Sequence, residues 1–78
     1  MVLMVAHGRF LYCIRGSTMF KVDPSKFDRW KLSDNWEGAR AMTSSGKKLY
    51  VLKGDALHVV NPDTGESDDV ILDGFEDW

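Results

Sequence analysis

The chain repeats itself, and that repetition limits the folds open to it more than any other feature. Shifted by 38, residues 8–24 lie on residues 46–62 with six identities in 17 positions: Gly8/Gly46, Leu11/Leu49, Tyr12/Tyr50, Gly16/Gly54, Val22/Val60 and Pro24/Pro62. Six further positions pair like with like, among them Ile14/Leu52, Arg15/Lys53, Met19/Leu57 and Asp23/Asn61. Unrelated segments of this length share about one identity, so the repeat is real. Beyond the proline the register slips by four, because Asp34-Asn35-Trp36 answers to Glu76-Asp77-Trp78 at a spacing of 42. The extra residues are expected in the Asn61-Pro62-Asp63-Thr64-Gly65 loop and the acidic run that follows it.

Each copy divides into four short strands. The spacing predicts strands over 2–6, 9–15, 18–23 and 27–32 in the first copy, and over 39–44, 48–53, 56–61 and 68–72 in the second. Ser45-Gly46, Gly54-Asp55 and the Asn61 to Gly65 loop separate the second set with turn-forming residues. Gly, Pro, Asn and Asp interrupt every window of about a dozen residues, which leaves no room for a helix. A period near 40 with a closing Trp fits a β-propeller blade, whereas helical repeats carry a 3.6-residue periodicity.

The apolar pattern says how such blades are covered. Residues 10–14 (Phe-Leu-Tyr-Cys-Ile) and 49–52 (Leu-Tyr-Val-Leu) are continuous apolar runs. A strand buried on one face alternates apolar with polar; one covered on both faces does not. The small residues of 38–45 suit an innermost strand, where blades converge. The expected fold class is therefore all-β: two four-stranded antiparallel β-propeller blades, residues 1–36 and 37–78, forming one domain completed only in an oligomer. Two blades cover one face each and leave two apolar faces bare, and contacts repeated by rotation close a ring. A homotrimer of six blades is favoured over a tetramer of eight, since four to eight blades is the usual range. Trp78 aligns with Trp36 and Met1 with Ala39, so one chain's end meets the next chain's start.

Composition agrees. At 78 residues the chain is one domain at most, and short chains need a staple. Cys13 is the only cysteine, which excludes an internal disulfide, and His7 and His58 lie too far apart for zinc spacing. Self-association is what remains. The net charge of −2 argues against nucleic acid and membrane partners. Its distribution is uneven: residues 9–53 carry ten bases and four acids (10 − 4 = +6), whereas 55–78 carry eight acids and no base. A solvated face is the plain explanation; head-to-tail complementarity between chains is the sharper one. The apolar start, residues 1–6, is too short for a signal peptide, and the lone cysteine fits a reducing compartment, so a cytoplasmic location is favoured.

Leu11-Tyr12, Met19-Phe20-Lys21, Pro24, Asp34-Asn35-Trp36 and Ala39-Arg40-Ala41 resemble the tectonin and tachylectin-type β-propeller lectins. Leu49-Tyr50, Leu57-His58, Pro62 and Asp77-Trp78 carry a thinner version in the second blade. The match spans nearly the whole chain, with short motifs. It departs from those lectins in lacking a Gly-Gly-Trp insertion and in placing Glu37-Gly38 after the Trp. The string from Asn61 to Glu66 also looks like quinoprotein-type propeller repeats. The resemblance implies a non-enzymatic carbohydrate-binding module for an N-acetylated amino sugar or similar glycan, without a cofactor. Trp with neighbouring Asp and Asn offers a stacking face and an edge of hydroxyl partners, and repeated weak sites gain avidity.

The ligand-binding residues expected on that basis are Trp30, Asp34, Asn35, Trp36, Asp77 and Trp78. Packing between blades is the competing role of Trp36 and Trp78. Trp30 occurs in the first copy alone and belongs either to an edge strand or to a site. Arg40 is expected to pair with a carboxylate or water in the channel. Asp63, Glu66, Asp68, Asp69 and Asp73 lack the spacing of a calcium loop. His58 answers to Phe20 and Cys13 to Val51, so both read as repeat positions filled differently. Thr43, Ser44 and Ser45 have no elbow or partnering His, and no glycine loop opens a helix, so neither an enzyme nor a nucleotide site is expected. The rival readings are a structural or protein-interaction scaffold, and a natural or engineered piece of a longer propeller.

Overall fold

The computed structural model describes residues 2–72. Two four-stranded antiparallel sheets account for most of them, each a meander in which neighbours in sequence are neighbours in space. The first holds β1 (Val2–His7), β2 (Phe10–Arg15), β3 (Thr18–Asp23) and β4 (Asp28–Ser33). The second holds β5 (Ala39–Ser45), β6 (Lys48–Lys53), β7 (Ala56–Val60) and β8 (Ser67–Leu72). The all-β architecture is as expected, and two such sheets are compatible with propeller-like blades. Every strand bound falls within one residue of its expected place.

The hairpins follow from their turns. Gly16-Ser17 and its repeat counterpart Gly54-Asp55 each turn the chain in two residues, with the glycines at φ of +62° and +59°. Turns that match the right-handed twist of flanking strands require positive φ, which glycine adopts without strain. The β3–β4 and β7–β8 loops also start alike. The Asp23 carboxylate accepts the Ser25 N–H and the Asn61 side chain accepts the Asp63 N–H, both at 2.9 Å. These Asx turns sit at Pro24 and Pro62, the last matched pair of the repeat.

Two expectations need correction here. Phe27 is not a strand residue: it closes the β3–β4 turn at φ +60° with 90% of its surface exposed. The backbone must reverse before β4 can pair, and Phe27 takes the left-handed conformation that does so. The four-residue slip is also not spent before the fourth strand. Met19 pairs with Ser33, and Leu57 pairs with Leu72. Val22 pairs with Arg29 and Val60 with Ser67, so the offset is 67 − 29 = 38 where β8 begins and 72 − 33 = 39 where it ends; one extra residue is taken up inside β8, at the bulge between Val59 and Val60. The remainder lies past Leu72, outside the described residues.

The core is the seam between the sheets. Tyr12, Ile14 and Met19 from the first sheet meet Leu49, Val51 and Val60 from the second, with Trp36 among them. Leu3, Val5, Phe10, Leu32, Ala39 and Met42 border this cluster. Strands β1 and β5 lie side by side, and Ser44 Oγ donates to the Ala6 carbonyl across them at 3.0 Å. These two positions are themselves repeat counterparts, 38 apart. Each sheet covers the other on one face only. Val2 and Met4 remain 59% and 61% exposed, and Leu11, Cys13, Leu52 and Leu57 are half-buried, although the apolar runs predict cover on both faces.

Candidate functional site

The connection from β4 to β5 turns the chain from one sheet to the other, and Trp36 is its pivot. Its N–H donates to the carbonyls of Ser17 (3.0 Å) and Asp34 (2.9 Å), and its carbonyl accepts the Ala39 N–H at 3.0 Å. The indole Nε1–H donates to Ser33 Oγ at 2.7 Å, which in turn donates to the Gly65 carbonyl at 2.7 Å. One short relay thus ties the corner, the end of β4 and the β7–β8 loop. Trp36 is 3% exposed, so no ring face is left for a sugar to stack on.

Gly65 makes this closure possible. A β-carbon there would come within 2.6 Å of Leu32 Cβ and 2.9 Å of Ser33 Oγ, and its φ is +73°. The loop needs a residue with no side chain to lie this close to β4.

Beside Trp36 lies a cleft of about 200 Å³, lined by Ser33, Asn35, Trp36, Lys53, His58, Gly65, Glu66 and Ser67. Lys53 Nζ reaches the Asn35 carbonyl at 2.6 Å and sits 5.8 Å from the Trp36 ring centre. His58 meets the indole edge to face, with ring centres 5.7 Å apart. Its Nδ1 lies 3.0 Å from Ser67 Oγ, which also reaches the Asp69 carbonyl at 3.2 Å. Burial first, and the Lys53 ammonium second, hold His58 below the usual histidine range, so the ring is neutral near pH 7. The cleft therefore offers an ammonium, an imidazole and a carboxylate beside the buried Trp36.

The expected site residues are only partly gathered here. Asn35 and Trp36 line the cleft. Asp34 points elsewhere: exposed, it pairs with Lys31 at 2.9 Å and accepts the Thr18 hydroxyl at 3.3 Å. The Lys31 hydrogen bond is the main reason its carboxyl lies below the ordinary value. Trp30 is on β4 away from the cleft, 44% exposed, edge to face with Phe10 at 6.3 Å. Lys21 Nζ lies 4.0 Å from the centre of that Phe10 ring. Asp77 and Trp78 lie outside the described residues. The Arg40 guanidinium donates to the Gly54 carbonyl at 2.9 Å. Among the described residues no three His, Cys, Asp or Glu side chains converge as a metal site would require.

Lys53, His58, Gly65, Glu66 and Ser67 were not foreseen as lining residues. Their signal was in the repeat. His58 replaces Phe20, a polar ring at a position whose counterpart is apolar, and Gly65 and Glu66 stand where the first copy has Phe27 and Asp28. Departures from a repeat mark where one seam differs from the next. No family model matches the sequence, and no curated protein matches it.

Proposed function

We propose that the chain is a two-blade arc of a non-enzymatic β-propeller binding module, and that its ligand, a small sugar, occupies the cleft beside Trp36. Three chains then make a six-blade ring; four make eight. The observation that carries the reading is the convergence of Asn35, Lys53, His58, Glu66 and Ser67 on one 200 Å³ cleft beside a fixed, buried indole. Convergent polar groups that fix a ligand's orientation are part of the usual make-up of a small-molecule site. The volume is below the roughly 300–1,000 Å³ of drug-sized sites, which fits a monosaccharide or one residue of a glycan. The tectonin-like motifs add N-acetylated amino sugars as the class to try first.

Calorimetric titration with N-acetylglucosamine should give one site per chain. Asn35→Ala and His58→Ala should each weaken binding about tenfold, equivalent to about 1.4 kcal/mol, while Trp30→Ala leaves it unchanged. Loss on Trp30→Ala instead moves the site to the exposed indole. Absence of binding to N-acetylated and neutral sugars alike, on a glycan array as well, overturns the sugar reading. A protein-interaction scaffold is the second reading, favoured by the apolar outer faces of both sheets.

A further inference from the structure

The two outer faces are not arbitrary apolar surfaces. In the first sheet, cross-strand partners share a face, so the outer rows are Met4–Cys13–Phe20–Lys31 and Ala6–Leu11–Val22–Arg29. In the second sheet the outer rows are Thr43–Tyr50–Val59–Asp69 and Ala41–Leu52–Leu57. Add 38 to the buried residues of the first sheet: Tyr12, Ile14 and Met19 become Tyr50, Leu52 and Leu57, all on the outer face of the second. Subtract 38 from the buried residues of the second: Leu49, Val51 and Val60 become Leu11, Cys13 and Val22, all on the outer face of the first. The two bare faces are thus the two halves of the interface that the molecule already makes inside itself, moved along by one repeat.

We propose that these faces are occupied by further copies of this chain, joined head to tail, with the outer face of one chain's second sheet against the outer face of the next chain's first sheet. A face that matches a different face, and not itself, generates a heterologous contact, which closes into a ring when the rotation from chain to chain divides a full turn. Charge favours the same pairing. Arg15, Arg29 and Lys31 border the outer face of the first sheet, and Asp69 lies on the outer face of the second. Between residues 2 and 36 there are six bases and three acids (+3); between 37 and 72 there are four bases and six acids (−2). The inference rests on the blade reading but not on the sugar. At the chain-to-chain seam, moreover, Lys53 and His58 are replaced by Arg15 and Phe20. The polar cleft is not repeated there, so the number of sites equals the number of chains, not of sheets.

Cys13 is a built-in reporter, because its counterpart Val51 is fully buried in the internal seam. In the wild-type protein, maleimide labelling of Cys13 should slow about tenfold or more between dilute and concentrated solution, as exposure falls. Leu52→Arg, on the other sheet, should restore fast labelling at high concentration. Light scattering on Leu11→Arg and on Leu52→Arg should find each alone to be a single chain. Mixed, they should form a species of two chains, since each retains the face that the other needs; that complex forms only if both are folded. A labelling rate independent of concentration overturns the proposal. So does one variant that still assembles alone, which indicates a face pairing with itself, and so does a mixture that stays monomeric. Sugar titration on the same samples separates this outcome from the fate of the ligand reading.

Discussion

The first and second sheets are spelled by one repeat, yet they bury opposite sides of it. In the first, Tyr12, Ile14 and Met19 are covered while Leu11 and Cys13 stay half-open; in the second, Leu49 and Val51 are covered while Tyr50 and Leu52 stay half-open. The same sequence position is core in one sheet and surface in the other. Burial in this molecule is therefore set by which neighbour is present, and the residue pattern on each strand is written for a neighbour on both sides. The sheets differ a second way. The first decorates its far edge with a Phe10–Trp30 contact and the Lys21 cation, whereas the second places a Lys48–Asp68 ion pair of 2.7 Å near the counterpart of Phe10. That pair is about 40% exposed on each side and contributes little.

The largest test of this contrast compares two tryptophans of the first repeat. Trp36→Ala removes a fully packed indole from the seam that both sheets share, and should cost about 3–5 kcal/mol. Small domains have only about 5–15 kcal/mol in total, so urea denaturation should show a midpoint close to zero denaturant. Trp30→Ala, at a half-exposed edge, should cost about 1 kcal/mol or less. Equal losses for the two would mean that the seam is not what holds the sheets together.

Glycines give the next contrast. Gly46→Ala and Gly65→Ala both force a β-carbon into the left-handed region, at about 1–2 kcal/mol. At Gly46 nothing lies within 4 Å of the new carbon, whereas at Gly65 it meets Leu32 and Ser33 below 3.0 Å. Overpacking adds about 1–3 kcal/mol. Gly65→Ala should therefore lose clearly more stability than Gly46→Ala, and it should displace the loop that lines the cleft. Similar losses would show that the β7–β8 loop is not held against β4.

Strand positions were legible because the turn residues are local signals: Gly16, Gly54, Pro24 and Pro62 punctuate the chain at fixed offsets in both copies. Phe27 was not, because nothing in an aromatic residue announces a positive φ. The site was half legible. Asn35 and Trp36 are adjacent in sequence and stand out together, but His58, Lys53 and Ser67 reach the cleft through cross-strand pairing and the packing of one sheet on another. Asp34 was read with its neighbours, yet successive residues in an extended connection point different ways, and its carboxylate is held by Lys31 and Thr18 instead.

The smallest predicted effect separates the two sheets by pH. His58 and Phe20 are the same repeat position, but only the second sheet fills that position with a titrating imidazole. Burial and the nearby Lys53 lower the His58 value in the folded protein below 6.5. The unfolded chain accordingly binds a proton first as the pH falls, and the equilibrium is drawn toward it. Stability that is complete above pH 6.5 should drop as the pH descends through the folded value of His58, and then level off as far as this group is concerned. Urea midpoints measured at pH 7.5 and pH 5.5 should show that fall in the wild-type protein. His58→Phe, which writes the first sheet's residue into the second, should flatten it. A slope unchanged by the substitution would place the responsible proton elsewhere, and with it the claim that His58 sits neutral against Trp36.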